Sequence, residues 1–569
     1  MSAPADRYVI VGGNAAGMSA ATRLRRLDES CEIVVFERDD HVSFASCGLP
    51  YHVSDTIPDA EQLVVESADD IGETFDLDIR TGHEVVDVDP EAQTITVESD
   101  GTRVDESYDD LVLTPGAEPI VPPIDGVHDA DGVYTLRSVD DAVSIRERVE
   151  ESSVQRALVV GAGYIGLEMA ENLHEAGLDV AIAEMEERVM PHSLGPGMAA
   201  LVHNRLREHG IDLHLNTTVD GIADREDGMV ATFDDGSTVE TGIVVLATGV
   251  MPRTELAEAA GVEIGDSGAI AVNEQLRTSN PHIYAAGDAV EVVTQATREN
   301  DWIPLAGPAN RQGRVVADVL AGRATIYEPV LGTAVAKIFD MTVASVGETA
   351  PSLEARNKAY ERSYTLQSSH ADYYPANEDM RILLLFDPYN GMVLGAQIVG
   401  GEGVDKRIDV LATAIQHDDT VYDLQQFDLA YAPPYSKAKD PVNIAGMVAG
   451  NIVDGTVDTV HWDELVDLDE DVSILDCRPP EMRAERGWFD GSLNVPLSEL
   501  RDRLDEIPDQ VVTHCKIGKS AYFSARVLEQ HGFDVRNLDG GYSFYNEIER
   551  DWRARDDPAY DPPIPPARE

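Results

Sequence analysis

Gly161-Ala162-Gly163-Tyr164-Ile165-Gly166-Leu167-Glu168, entered from the apolar run Val154 to Val160, decides the fold of this 569-residue chain. The pattern predicts a strand ending in a glycine turn, then a helix to about Ala176. A second strand, Val180-Ala181-Ile182-Ala183-Glu184, closes the unit. Strand, glycine turn, helix, strand and terminal acid form a dinucleotide-binding βαβ unit: backbone N–H groups hold pyrophosphate and the acid takes a ribose hydroxyl. Gly161, Gly163, Tyr164, Ile165, Gly166 and Glu184 are its candidate contacts. Glu184 would accept from a ribose 2′-OH and repel a 2′-phosphate. NADH is therefore favoured, with NADPH left open by the nearby Arg188.

The same pattern opens the chain. Arg7-Tyr8-Val9-Ile10-Val11 runs into Gly12-Gly13-Asn14-Ala15-Ala16-Gly17, an Ala-rich helix to about Leu27, and the strand Glu32-Ile33-Val34-Val35-Phe36-Glu37. Asn14 stands where the middle glycine of the fingerprint is usual. The candidate contacts are Gly12, Gly13, Ala15, Ala16, Gly17, Glu37 and Arg38. Two such units imply two dinucleotides.

Soon after the first unit comes Ser43-Phe44-Ala45-Ser46-Cys47-Gly48-Leu49-Pro50-Tyr51, a cysteine in a turn that Gly48 and Pro50 suit to a helix entrance. A thiolate is the reactive form of cysteine, and its pKa falls at a helix N-terminus or beside a cation. Cys47 is the candidate redox centre. The other cysteines are Cys31, Cys477 and Cys515; without CxxC spacing the four give neither a metal site nor a disulfide framework, and they fit a reducing cytoplasm. Cys31 and Cys477 lie in strand patterns as packed residues.

Formal net charge is −62, from 105 acidic against 43 basic residues spread along the chain. This reads as a halophilic surface rather than an acidic tail, and it disfavours nucleic acid or an anionic membrane as partner. The N-terminus lacks a signal-peptide pattern, and no apolar run is long enough to span a bilayer. Lysines number only seven, yet four of them pair up as Lys437 and Lys439, and Lys516 and Lys519.

Leu111-Val112-Leu113-Thr114-Pro115-Gly116 and Val244-Val245-Leu246-Ala247-Thr248-Gly249 are matching strand exits about 130 residues apart, placed where chain would leave and re-enter a first domain around an inserted second one. With Ile283-Tyr284-Ala285-Ala286-Gly287-Asp288-Ala289 and Pro308-Ala309-Asn310-Arg311-Gln312-Gly313-Arg314, the chain resembles the two-dinucleotide flavoprotein disulfide reductases. The resemblance implies FAD on the first unit, with Thr114, Gly116 and Gly249 at the crossings, Gly287 and Asp288 on the ribityl chain, and Pro308 and Ala309 under the isoalloxazine. Dithiol reductases carry a second cysteine near the first, and Cys47 has none. SFxxCGLPY instead resembles the single-cysteine branch of coenzyme A disulfide reductase, NADH oxidase, NADH peroxidase and persulfide reductase, over residues 7 to about 450. It implies hydride transfer from nicotinamide to flavin and reduction of a sulfur at Cys47.

Residues His370 to Pro375 and Tyr431 to Asp440 resemble coenzyme A disulfide reductase loops that carry a tyrosine each to the other subunit's cysteine. These map to Tyr373, with the neighbour Tyr374 as alternative, and Tyr431; each phenol can protonate a leaving thiolate. The start of the third domain, Thr333 to Phe339, resembles the family's dimerisation domain, so a homodimer is expected. Ser19, Arg23 and Arg26 recur on one helix face, and with Ser43, Ser46 and Lys439 they are the candidates for a coenzyme A substrate rich in phosphate.

The last hundred residues hold another cysteine at a strand end, in Val511-Val512-Thr513-His514-Cys515, followed by the loop Lys516-Ile517-Gly518-Lys519-Ser520 opening a helix. With Gly491 to Pro496 and Asp539-Gly540-Gly541-Tyr542, this resembles a rhodanese domain with Cys515 as sulfur carrier. Lys519 takes a place often held by Arg there, keeping the charge without the bidentate fork.

The expected fold is α/β: two Rossmann-like domains, for FAD (1–115 and 250–328) and NAD (116–249), an α+β dimerisation domain (329–450), a linker (451–457), an α/β rhodanese domain (458–556) and a tail (557–569). The expected function is reduction of coenzyme A disulfide, persulfide or polysulfide through Cys47, with sulfane-sulfur transfer at Cys515. Two rivals stand: an NADH oxidase or peroxidase cycling Cys47 through sulfenic acid, and a sulfur-relay or redox-sensing adaptor.

Overall fold

A computed structural model describes residues 6–226, 228–469 and 471–555. The expected tail, 557–569, and residue 556 lie outside them. The chain divides into two compact units: residues up to Met185 with Thr217–Gly332, and Glu186–Asn216 with the described chain from Thr333 onward.

The first unit holds both glycine-turn patterns. Strand Arg7–Val11 lies between Glu32–Phe36 and Asp110–Leu113 in a parallel sheet completed by Asp78–Arg80 and Ile283–Ala285. Buried on both faces, these strands are continuous apolar runs, as a parallel sheet demands. The second copy repeats the arrangement, with Arg156–Val160 between Asp179–Ala183 and Ile243–Leu246, and Val133–Thr135 beyond. Between the two, Ala117–Pro119 pairs antiparallel with Val250–Pro252, so the two strand exits read from the sequence do lie together as one two-stranded crossing. The antiparallel sheets Glu84–Asp89, Thr94–Ser99, Thr102–Ser107 and Val219–Arg225, Gly228–Phe233, Thr238–Thr241, and the pair Glu291–Val293 with Asn300–Trp302, also belong to the unit.

The second unit combines an antiparallel sheet, in the order Ala334–Ile338, Met341–Gly347, Val393–Gly400, Asp379–Phe386, Glu361–Ser368, with an all-parallel one. The latter runs Asp458–Val460, Asp534–Leu538, Gln510–His514, Ser473–Asp476, Leu493–Asn494.

Two boundaries differ from expectation. Helix Pro441–Val453, capped at its start by Asp440, runs through the first three residues of the expected linker and ends before Gly455, which is left-handed. Helix Pro196–Glu208, inside the expected NAD domain, groups with the second unit instead. Gly197 lets Phe544 and Trp462 come within contact of its backbone; an added Cβ would sit 2.8 Å from Phe544. His203 is fully buried and hydrogen-bonds Asp551 at 3.0 Å, and Arg207 donates to the other oxygen at 2.6 Å.

Candidate active site

In both glycine turns the first and third glycines are fixed by close approach of backbone. At Gly161, φ is +102°, and a Cβ would lie 2.4 Å from the Ala247 carbonyl oxygen; at Gly166 it would lie 2.1 Å from that of Gly161. Gly12 and Gly17 repeat this against Thr114 and Gly12. A Cβ at Gly163 would meet nothing within 4 Å, so space opens in front of that turn where a pyrophosphate must approach. Tyr164 and Ile165 start the following helix, with Ile165 40% exposed.

Both strand-end acids are held at their turns. Glu37 accepts from the N–H of Gly13 at 2.7 Å and of Asp39 at 3.0 Å, and Glu184 accepts from the N–H of Ala162 at 2.7 Å. A carboxylate has about four acceptor positions, so Glu37, accepting these two, keeps capacity for a ribose hydroxyl.

Cys47 lies in a 3₁₀ turn, Ser46–Gly48, leading into the short helix Leu49–Val53, and is exposed. Its thiol is not acidified as the helix entrance led us to expect. Loss of solvent pushes the pKa up, the charges of Glu168 and Asp288 add to this, and a hydrogen bond with Ser46 and the charge of Arg137 oppose it. Those neighbours are informative. Asp288 follows the last strand of the first sheet, and Glu168 sits on the helix of the second glycine turn, so charges from both dinucleotide units act on one sulfur.

Asp288 is itself raised by burial, with Arg137 pulling it back. Gly287 donates to Gln312 at 2.6 Å, which anchors helix Ala306–Leu320 and its buried Pro308 and Ala309 at the same place. Thr114 ties the crossing to the first turn through the carbonyls of Val11 and Gly12. Gly116 (φ +73°) leaves room for Arg137, whose Nη2 would be 2.8 Å from an added Cβ, and Gly249 at the other crossing is exposed. Arg253 is lowered by burial and by the charges of Arg38 and Arg137. Arg137 and Arg253 beside the Gly116 crossing, with the charge of Arg38 acting on Arg253, fit a pyrophosphate, and the raised Asp288 fits a hydroxyl-bearing chain.

Arg137 and Arg253 are absent from the sequence reading because arginines outside the fingerprint carry no local signal. Glu168 and Tyr51 are a second omission. They hydrogen-bond each other; burial and Glu171 push the Glu168 carboxyl up to about 7, and burial and Glu168 push Tyr51 to about 12. Ser54 joins the same two helices by donating to Asn172 at 2.6 Å.

The expected substrate face is differently employed. Ser19 donates to Asn310 at 2.6 Å, and Arg23 reaches Asp318 through Nε at 3.0 Å and Nη2 at 2.8 Å, so both tie the first helix to helix Ala306–Leu320. The nearby carboxylate explains why Arg23 turns inward. Arg26 is exposed and lies over the Phe75 ring. Ser43 has a left-handed backbone (φ +50°) and bonds back to Gly13; Ser46 is engaged with the Cys47 sulfur.

In the second unit, Tyr373 and Tyr431 are exposed and their hydroxyls are 3.0 Å apart. Lys437 pairs with Asp372 at 3.0 Å, and Lys439 is exposed. Asp372 is held low by hydrogen bonds from Ser368 and Lys437 and also feels the charge of Lys519. Lys519 and Ser520 are the first residues of helix Lys519–Glu529 rather than loop, because left-handed Gly518 (φ +86°) caps it. Cys515 is buried, and Lys516 and Ile517 after it are half-buried. The Asp539-Gly540-Gly541-Tyr542 run has a structural reason: Tyr542 and Ser543 donate to the carbonyls of Cys515 and Lys516, each at 2.9 Å, and a Cβ at Gly541 would lie 2.6 Å from the Gly518 nitrogen.

Residues 6–313 match the pyridine nucleotide-disulphide oxidoreductase family, 333–441 its dimerisation domain, and 461–547 the rhodanese-like domain. The chain belongs to the pyridine nucleotide-disulphide oxidoreductases. As a family member it is a flavoprotein oxidoreductase using FAD and NAD(P)H. The structure of reduced Bacillus anthracis CoADR-RHD is 44% identical, covering 96% of this chain and 98% of that one, with a TM-score of 0.93. A NAD-dependent persulfide reductase from A. fulgidus is 38% identical, covering 95% and 99%, with a TM-score of 0.89. Among curated relatives of this oxidoreductase, an NADH oxidase of Methanocaldococcus jannaschii is 37% identical over 77% of this chain and 97% of its own length. A coenzyme A disulfide reductase of Staphylococcus haemolyticus is 35% identical over 78% and 100%. No described helix is long and apolar enough to cross a membrane.

Proposed function

We propose that this oxidoreductase uses NADH to reduce coenzyme A disulfide and coenzyme A persulfide or polysulfide at Cys47, and that Cys515 carries sulfane sulfur for it. The observation that carries the reading is the exposed Cys47 thiol in the turn leading into helix Leu49–Val53, which Ser54 ties to the helix of the nicotinamide-type turn by donating to Asn172 at 2.6 Å; the charges of Glu168 and Asp288 act on that sulfur. Bound flavin would supply the two-electron relay between nicotinamide and sulfur. The glycine turns, with Arg38, Arg137 and Arg253, hold the pyrophosphates, and Glu37 and Glu184 hold the riboses. An acceptor of Glu184's charge suits a 2′-hydroxyl better than a 2′-phosphate, which supports NADH.

Cys47 takes the substrate sulfur into a mixed disulfide, and the departing thiolate needs a proton. Tyr373 and Tyr431 of the partner subunit are the donors in this reading; their paired exposed hydroxyls and the dimerisation domain support it. The full-length similarity to CoADR-RHD and to a persulfide reductase supports sulfur substrates over oxygen. The oxidase reading retains one argument, the NADH oxidase among the relatives.

NADH consumption by the purified protein, measured anaerobically on coenzyme A disulfide, coenzyme A persulfide and inorganic polysulfide and then with oxygen alone, tests the proposal. Anaerobic turnover on at least one sulfur substrate is expected. Turnover with oxygen only would refute it.

A further inference from the structure

Cys477 is a core residue, 2% exposed, in the same apolar cluster as Leu475 and Val511. Its register gives it a second character. Strand Ser473–Asp476 runs parallel to Gln510–His514 with Asp476 opposite His514, and the Cys477 N–H continues the ladder to the His514 carbonyl at 2.9 Å. One residue further along both strands, Cys477 stands beside Cys515. Paired strands are about 4.8 Å apart, inside the roughly 4.4–6.8 Å between Cα atoms that a disulfide requires.

The two thiols also share a face. Side chains alternate along a strand, so Leu475 and Cys477 point one way with Val511, Thr513 and Cys515. Asp476 and His514 point the other way, where Phe489 packs on the His514 ring. On the cysteine side, Thr513 donates to the Ala521 carbonyl of helix Lys519–Glu529, Ser524 of that helix hydrogen-bonds the Cys477 thiol, and Cys515 lies close enough to Cys477 to act on it electrostatically.

We propose that Cys477 is the internal acceptor that discharges sulfur-loaded Cys515, forming a Cys477–Cys515 disulfide and releasing sulfide. The proposal rests on the reading that Cys515 carries sulfane sulfur. In the step, the Cys477 sulfur attacks the inner sulfur of the Cys515 persulfide, the bond to the outer sulfur breaks, and that atom leaves with the electron pair as hydrosulfide; the Cys477 proton passes to it. One persulfide and one thiol become one disulfide and hydrogen sulfide, with no outside oxidant because the sulfane sulfur is itself reduced. A low-molecular-weight thiol then reopens the disulfide by exchange, becoming oxidised in turn. Burial, with the charges of Cys515 and Asp476 and against the Ser524 hydrogen bond, pushes the Cys477 thiol up to about 12. It is a sluggish nucleophile for that reason, so discharge is slow beside transfer to an external acceptor and matters when none is present.

The test follows peptide masses after loading the full-length protein with inorganic polysulfide and removing the excess. In the wild type, the Cys515 peptide is expected to gain one sulfur atom and then to convert to a cross-linked Cys477–Cys515 pair, with one sulfide released per cross-link. In Cys477→Ser, and in Cys477→Ala as a second packing variant, the adduct should last at least about tenfold longer. Diamide on the unloaded protein should form the same cross-link. An adduct of equal lifetime in all three proteins with no cross-link in either arm overturns the proposal alone. No adduct on Cys515 even in the Cys477 variants overturns the sulfur-carrier reading, and the discharge step with it.

Discussion

The hydroxyl oxygens of Tyr373 and Tyr431 lie 3.0 Å apart, although one follows strand Glu361–Ser368 and the other follows helix Val421–Gln426. Tyr373 is raised by the hydrogen bond to its partner phenol, so it stays protonated near neutrality and able to donate. Tyr373→Phe and Tyr431→Phe are each expected to slow turnover on coenzyme A disulfide by about 10²-fold. Flavin reduction by NADH in a stopped-flow single turnover should match the wild type. Two losses that fail to multiply in the double variant would show the phenols acting as one unit.

Glu168 carries a cost that depends on pH. Its carboxyl ionises near 7 in the folded protein, against an ordinary value of 4.5. A raised acid disfavours the folded state once the unfolded chain ionises, so stability falls as pH climbs from the ordinary value through 7 and is level above. Glu168→Gln is therefore expected to raise the melting temperature at pH 8 and to leave it unchanged at pH 4.5. Thermal unfolding at the two values checks this.

Asp551 holds helix Pro196–Glu208 against the last described helix, Gly541–Arg553. Burial alone would raise its carboxyl, but the His203 hydrogen bond and the Arg555 charge hold it well below the usual carboxylate range. His203, buried and lowered, is neutral. A depressed acid stabilises at pH above its unfolded value, and that contribution is lost as acid titrates the folded group. Asp551→Asn leaves Arg207 and Arg555 facing an uncharged amide and should cost about 3–5 kcal/mol. Denaturant unfolding at pH 7 measures the loss, and limited proteolysis should cut first between 186 and 216.

Cys515→Ser is expected to abolish sulfur transfer from polysulfide or thiosulfate to a thiol acceptor while NADH-dependent reduction of coenzyme A disulfide persists. Assays of the two activities on one preparation separate them. Loss of both would mean that the rhodanese-type cysteine lies on the reductive path.

The α/β class, the two glycine turns and the two matching strand exits were legible because glycine spacing and apolar runs report backbone requirements directly; the antiparallel pairing of the chain just past those exits was not. Tyr373 and Tyr431 were found only through a resemblance, since 58 residues separate them and neither has a local pattern. Arg137, Arg253 and the Tyr51–Glu168 pair escaped because their roles come from tertiary approach. Arg23 shows the opposite limit. Helical spacing placed it on the face with Ser19, but the carboxylate it meets, Asp318, is 295 residues away. The docking of helix Pro196–Glu208 was equally hidden, since it turns on Gly197 and on an Asp551 that no local rule marks.

The most direct test is a stopped-flow comparison of wild type and Cys47→Ser, reduced anaerobically by NADH and then mixed with coenzyme A disulfide. The account expects both proteins to bind FAD and accept hydride at similar rates, with reoxidation by the disulfide lost by at least about 10³-fold in the variant. Full reoxidation of Cys47→Ser by coenzyme A disulfide would contradict it.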